Sequence, residues 1–104
     1  MKAFITEFVK QHNVIEQLNS SFQENMKNYR AEHPEEFDSV FENYRPELLK
    51  TWVIDVAYKL RNYPEWDYEV IQARLQMEYD GEYIGYYLLE FNIEGEIIDD
   101  VFWG

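Results

Sequence analysis

The large apolar side chains between Phe4 and Tyr29 recur at intervals of three, four or seven residues. This spacing places them on one face of an α-helix and predicts one long helix over residues 4–30, with a break expected near Asn19 and Ser20. The apolar positions are Phe4, Phe8, Ile15, Leu18, Phe22, Met26 and Tyr29. We therefore expect this first segment to lay one apolar face on a core.

A proline followed by glutamate occurs at residues 34–35 and again at residues 46–47. Proline is tolerated in the first turn of a helix and acids are favoured near its positive end, so residues 34–36 predict a second helix over 34–44. Residues 46–47 repeat the signal and predict a third helix over 46–62, ending before Pro64. The apolar positions of the third helix are Leu49, Trp52, Val53, Val56, Ala57 and Leu60.

Beyond Pro64 the period of the apolar positions becomes two, which is typical of β-strands. Asp80-Gly81 is a strong signal for a two-residue hairpin turn, because a left-handed backbone suits this dipeptide, and Glu94-Gly95 is a weaker one. The predicted strands span about residues 68–79, 82–92 and 96–102. We predict a single α+β domain over residues 1–104, with three N-terminal helices packed on a C-terminal three-stranded antiparallel meander.

Counting the register from the two turns assigns the strand residues to two faces of the sheet. The face expected beneath the helices carries Ile71, Ala73, Leu75, Met77, Ile84, Tyr86, Leu88, Ile97 and Val101. The outer face carries Gln72, Arg74, Gln76, Glu78, Tyr83, Tyr87, Leu89, Phe91, Ile98 and Phe102. A bulge of one residue would exchange the faces beyond it, and Gly85 is a candidate position for one.

Composition narrows the class of protein. The chain has 104 residues, 46% of them apolar, which suits one compact domain, and it has no cysteine for a disulfide or a thiolate site. The N-terminus lacks the apolar run of about 7–15 residues of a signal peptide. No segment approaches the roughly 18 apolar residues of a membrane span. We therefore expect a cytoplasmic protein that does not bind membranes.

The acidic charge is concentrated in the last 40 residues of the chain. Glu65 to Gly104 contain eleven carboxylates and one cation, Arg74, and so hold about −10 of the net charge of −12. Nine of the nineteen aromatic residues lie in the same segment, and aromatic side chains beside charge are common interface anchors. This charge disfavours direct binding of nucleic acid and favours a positively charged partner. A second acidic cluster, residues 32–42, is explained mostly by helix-start preferences.

The candidate partner-binding residues lie on the two acidic turns and the strands beside them. They are Glu78, Asp80, Glu82, Tyr83, Tyr87, Glu90, Glu94, Glu96, Asp99, Asp100 and Trp103. The register places Glu90 opposite Asp99, an arrangement that costs roughly 0.2–1 kcal/mol unless something compensates for it. Three interpretations stay open: two carboxylates that reach water, a docking point for a partner's Lys or Arg, or a catalytic pair that shares a proton.

Motifs for catalysis or for a cofactor are not found in the sequence. His12 and His33 lack the spacing of a metal site, and the two Gly-containing turns lack the alternating ligands of an EF-hand loop. The three serines fall within helical patterns, which disfavours a hydrolase triad. We predict a protein that is not an enzyme and that binds no cofactor and no metal.

A small, acidic, cysteine-free and aromatic-rich chain resembles the immunity proteins of bacterial toxin systems, including those of contact-dependent growth inhibition. The resemblance lies in this general format and runs from EWDY at residues 65–68 to DDVFW at 99–103. It implies binding to a cognate toxin, commonly a basic nuclease, whose active site is covered. Carboxylates would take the place of RNA phosphates in the toxin's cationic cleft, and Tyr83, Tyr87 or Trp103 would supply anchors.

Two other function classes stay open. A phage-type inhibitor that mimics DNA would carry the same charge, spread over a longer surface and directed at several DNA-binding proteins. The segment FNIEGEI at residues 91–97 is similar to the last hairpin of nuclear-transport-factor-2-like proteins. That resemblance implies a cone-shaped pocket for a small ligand or an acid-base pair, with Glu90 and Asp99 on its wall.

Overall fold

The fold is given by a computed structural model that describes residues 2–62, 64–65 and 68–103. The helices are α1 (Lys2–Gln11), α2 (Val14–Glu32) and α3 (Pro34–Val40), followed by a short 3-10 turn at Pro46–Leu48. The strands are β1 (Leu49–Arg61), β2 (Tyr68–Tyr79), β3 (Glu82–Asn92) and β4 (Ile97–Trp103). Within this part of the chain the strands form one antiparallel sheet in the order β1-β2-β3-β4. The α+β class is confirmed, and the three-stranded meander is wrong.

The predicted third helix over residues 46–62 is the source of that error, because most of it forms the edge strand β1. Its residues are rich in β-branched and aromatic side chains, which favour a strand. The pairing with β2 shifts by one residue between Val53 and Asp55. That bulge at Ile54 interrupts the period of two, so the apolar positions on either side also fit a helical period.

The first predicted helix is two helices, and they meet at His12 and Asn13 instead of near Asn19 and Ser20. Asn13 adopts a left-handed backbone with φ of 51°, which asparagine tolerates better than most residues. The break lets α1 reach β1, where the Phe4 ring meets the Tyr58 ring edge-on with centroids 6.0 Å apart.

The core lies between the helices and one face of the sheet. Helix α2 contributes Val14, Leu18, Phe22 and Met26, three of them from the predicted stripe. Strand β2 contributes the predicted Ile71, Ala73, Leu75 and Met77. Burial of each large apolar side chain contributes about 1.5–3 kcal/mol, so this layer is the main source of stability.

The faces predicted for the residues of β3 beyond Ile84, and for Val101 and Phe102 of β4, are wrong because the bulge expected near Gly85 is present, whereas Ile84 packs against the core as predicted. Glu78 pairs with Tyr83 and Met77 pairs with Gly85, so Ile84 is an extra residue in β3. Beyond it the faces exchange. The side chains that point to the helices are therefore Tyr87, Leu89, Phe91 and Phe102, whereas Tyr86, Leu88 and Val101 lie on the outer face.

The turn between β3 and β4 is docked against the joint between α1 and α2. The Asn92 side chain accepts hydrogen bonds from the backbone N–H groups of Glu94 and Glu96, at 3.0 and 2.9 Å. Gly95 has φ of +90°, and a Cβ atom there would overlap the His12 ring. The turn is therefore held by its own hydrogen bonds and by its contact with His12.

Replacing Gly95 with alanine should destabilise the protein more than replacing Gly81. Both glycines have positive φ, which costs an L-residue about 1–2 kcal/mol, but the space around Gly81 is open. Urea unfolding of Gly95→Ala and Gly81→Ala measures both changes, and the second variant isolates the backbone cost. Equal losses of unfolding free energy would show that the His12 contact contributes nothing.

Candidate functional site

The predicted acidic turns lie at opposite ends of the sheet. Glu78, Asp80, Glu82 and Tyr83 surround the β2–β3 turn, and Tyr83 is 60% exposed. Glu94 and Glu96 flank the β3–β4 turn. The eleven residues of β3 separate the two groups by roughly 35 Å. The structure therefore does not bring them into one site.

Tyr87 is fully buried in the core and offers nothing to a partner in this conformation. Its ring packs on Phe22 and Phe102, with centroids 5.8 and 4.8 Å away. Its hydroxyl donates a hydrogen bond to Asp100 (3.1 Å) and accepts one from Asn25 Nδ2 (3.0 Å). Burial, and then the charge of Asp100, raise the pKa of Tyr87 well above its usual range. Tyr87 thus positions Asp100 at the sheet edge.

The pairing of Glu90 with Asp99 is confirmed, and the compensating charge comes from within the chain. Glu90 is 3% exposed. Arg61 Nη1 lies 2.6 Å from its Oε1, and Gln72 Nε2 donates to its Oε2 at 2.7 Å. The Glu90 carboxylate raises the pKa of Arg61. Both oxygens of Glu90 therefore have partners, and the carboxylate is not left for a partner's cation or for proton sharing.

The sequence prediction missed Arg61 because residues 46–62 were assigned to a helix. Its position at the end of β1 lets its side chain cross β2 to reach Glu90 on β3. The signal that could have found it is the run of β-branched and aromatic residues before it, which favours a strand. Strand alternation would then have placed Lys59 and Arg61 on one face.

A second ion pair lies on the same outer face. Arg74 Nε donates to Asp55 Oδ1 at 2.9 Å, and this hydrogen bond lowers the pKa of Asp55. The Arg74 guanidinium also lies over the Tyr86 ring, 5.1 Å from its centroid. The single cation of the acidic C-terminal segment is therefore already bound by a carboxylate.

A shallow polar cleft of about 390 Å³ lies beside these pairs on the outer face. Its lining comprises Lys59, Arg61, Gln72, Tyr86, Leu88, Glu90, Asp99 and Val101. Because Glu90 and Asp99 lie on the face away from the helices, they do not form the wall of an enclosed helix-covered pocket. The cone-shaped ligand pocket expected from the nuclear-transport-factor-2-like hairpin does not form around this pair.

The remaining carboxylates of the C-terminal segment form what we call the acidic edge: Glu94, Glu96, Asp99 and Asp100. All four are exposed, on or beside the edge strand β4. Among the described residues no Lys or Arg forms an ion pair with any of them. Two exposed isoleucines, Ile97 and Ile98, lie between them. The Trp103 side chain lies outside the described part of the structure.

An apolar cleft of about 290 Å³ opens at the far end of β4, between the helices and the sheet. Its side chains come from α2, α3 and the last three strands: Met26, Tyr29, Val40, Phe41, Met77, Ile84 and Phe102. Val40 and Phe102 lie at the opening of the cleft, and 48% and 40% of their surfaces are exposed. None of the residues that line this cleft is among the partner-binding residues predicted from the sequence.

Comparison of the chain with protein-family models, curated proteins and solved structures finds no match. In the described residues, no helix combines the length and apolar character needed to cross a membrane. The same part of the chain has no group of three His, Asp or Glu side chains that could hold a metal ion.

Removing Arg61 should destabilise the protein less when Glu90 is neutral. Arg61→Met leaves the buried Glu90 carboxylate with Gln72 as its only partner. The free energy of unfolding should fall by about 1–2 kcal/mol, a modest loss because solvent screens the partly exposed Arg61. The double variant with Glu90→Gln should lose less than the sum of the single changes. Urea unfolding at pH 7 measures this, with Lys59→Met as the matched control, expected within about 0.5 kcal/mol of wild type. Additive losses would contradict a coupled pair.

The stability of the protein should fall at alkaline pH partly through Tyr87. Its pKa is raised in the folded state, so its contribution is complete below the ordinary value of about 10 and is lost as the pH rises above it. Tyr87→Phe should therefore be less stable at pH 7 but lose stability less steeply above pH 10. Urea unfolding between pH 7 and 11 compares the two slopes. Parallel slopes would contradict a raised pKa.

Proposed function

We propose that this protein is a non-enzymatic inhibitor of the immunity type, which binds a basic protein partner along the acidic edge. The observation that carries the proposal is the contrast in how charges are paired. The cations Arg61 and Arg74 of the sheet are bound to Glu90 and Asp55, whereas the acidic edge has no ion-paired cation among the described residues. Unpaired charge of one sign raises the rate of association with a partner of the opposite sign.

The composition of the acidic edge supports a protein as the partner. Ile97 and Ile98 are exposed between the carboxylates. A surface made only for solubility would mix both signs of charge and avoid neighbouring exposed apolar residues. The isoleucines would supply apolar contact, and the carboxylates would supply steering and specificity. The outer edge of β4 also offers backbone groups to which a strand of the partner can bind.

The inhibitory step is occlusion of a cationic active site. A nuclease binds its substrate mainly through Lys and Arg contacts to phosphates. Carboxylates held along β4 would occupy those cations and exclude the substrate. Glu94 to Asp100 comprise the end of the β3–β4 turn and the first four residues of β4, and so extend over less than about 20 Å. This short span favours a single cognate partner over the broader surface that a DNA mimic requires.

Neutralising the acidic edge should weaken binding of the partner without unfolding the protein. We expect Glu94→Gln, Glu96→Gln and Asp99→Asn together to weaken binding at least tenfold in low salt and to flatten its salt dependence. Asp100 is kept, because it accepts the Tyr87 hydrogen bond. The measurement is an affinity pull-down from source-cell lysate with a salt-step elution. Each eluted protein is identified by mass spectrometry and assayed as a nuclease on RNA and on DNA.

The matched control carries the same change in net charge on the helices: Glu7→Gln, Glu16→Gln and Glu24→Gln, all exposed. It should retain the partner that the edge variant loses. A partner whose nuclease activity disappears on addition of this protein would support the proposal. Equal binding by both variants would contradict binding through the acidic edge, and a partner without inhibited activity would contradict the inhibitory role.

A further inference from the structure

We propose that the apolar cleft receives one large apolar side chain of the partner, presented between lysines or arginines. This inference rests on the proposed function, because it takes the partner to be a basic protein. The cleft and the acidic edge are continuous along β4. Asp100 and Phe102 are two residues apart on the same face of that strand, since they pair with Leu89 and Tyr87. A partner segment lying along β4 would therefore reach the cleft.

The chemistry of the cleft favours an apolar group. Its lining is formed by aliphatic, aromatic and thioether side chains. A space of about 290 Å³ has room for several waters, each of which needs two to four polar partners that such a lining does not supply. The cleft is also just below the range of roughly 300–1,000 Å³ typical of drug-sized ligand pockets. A single side chain suits this volume better than a complete small molecule.

Two methionines make the cleft adaptable. Met26 of α2 and Met77 of β2 lie in its wall. Unbranched thioether side chains adjust their shape to different apolar groups and make favourable contacts with aromatic rings. The cleft can therefore accept either an aromatic or a large aliphatic side chain.

Three of the elements that line the cleft also carry a carboxylate close to its lining residues. Asp100 precedes Phe102 on the same face of β4. Glu82 pairs with Tyr79, whose ring packs on Phe41 of the cleft. Glu36 lies one helical turn before Val40, and burial and then the charge of Glu36 raise the pKa of Tyr29 in the cleft wall. An apolar side chain flanked by cations matches this arrangement.

Two cations of α2 lie outside the lining of this cleft. Lys27 and Arg30 line a neighbouring cleft between α2 and α3. The Arg30 guanidinium lies over the rings of Phe37 and Tyr44, 5.3 Å from each centroid. The described lining of the apolar cleft therefore contains no cation.

The test uses the intact protein with methyl-labelled methionine and isoleucine, titrated with a blocked pentapeptide that has tryptophan between two pairs of lysines. We expect saturable shifts of the methyl resonances of Met26, Met77 and Ile84. Three control ligands are titrated in parallel: the peptide with serine for tryptophan, the peptide with glutamates for lysines, and neutral N-acetyltryptophanamide. Each should bind at least about fivefold more weakly, because each lacks the apolar group or the cations.

Variants at the rim separate the two contributions. Val40→Trp should cover the opening and weaken the peptide about tenfold, whereas Val40→Ala should stay within about twofold of wild type. Glu36→Gln with Glu82→Gln changes exposed residues only, so it keeps the test valid even if Val40→Trp fails to fold. This double variant should bind the tryptophan peptide about threefold or more weakly in low salt and equally well in high salt.

Several results would overturn the inference. One is the absence of shifts at the cleft methyl groups, and another is equal binding of the serine peptide, which would show charge attraction alone. Equal binding of N-acetyltryptophanamide would assign the cleft to small apolar molecules instead. The acidic-edge residues Glu94, Glu96 and Asp99 are unchanged in these variants. If the peptide does not bind the cleft but the acidic-edge variant still fails to bind the partner, only this inference is wrong. The proposed function would then still be supported.

Discussion

The extra residue in β3 determines what each face of the sheet contains. Because Ile84 has no partner in β2, Tyr87, Leu89 and Phe91 point to the helices, and Tyr86, Leu88 and Glu90 point away from them. The aromatic core depends on this shift, since the ring of Tyr87 fills the space between Phe22 and Phe102. One inserted residue thereby turns an apolar strand inward and leaves a carboxylate, Glu90, on the opposite face.

That carboxylate in turn explains how the outer face is organised. Glu90 is almost fully buried although no helix covers its face, so an unpaired charge there would be costly. Arg61 reaches it from β1 and Gln72 from β2, which links three strands through one carboxylate. Asp55 and Arg74 form a similar pair between β1 and β2. Arg61 and Arg74 are thus used in ion pairs inside the protein, and the exposed carboxylates lie on β4 and the turns.

The surface proposed for binding consists of carboxylates that form no ion pair among the described residues. Concentrated like charge costs self-repulsion in the free protein, and a cationic partner would relieve it. The turn that starts the acidic edge is held by the Asn92 hydrogen bonds and by its contact with His12, and Asp100 is held by Tyr87. These supports fix the backbone of the turn and the carboxylate of Asp100, which would reduce the entropy lost on binding the proposed partner. The apolar cleft lies on the same strand, so steering charge and apolar contact would act on one partner.

Features that depend on neighbours in the sequence were determined by the sequence alone. The α2 stripe, the Asp80-Gly81 turn, the last three strands and the concentration of acidic charge follow from local periodicity and turn chemistry. Other features were decided only by the tertiary structure: the strand conformation of β1, the burial of Tyr87 and the pairing of Arg61 with Glu90. The bulges at Ile54, Ile84 and Ile98 break the period of two, and hydrogen bonds to a neighbouring strand then select the register. Arg61 and Glu90 are 29 residues apart, so no local pattern could join them before the sheet had formed.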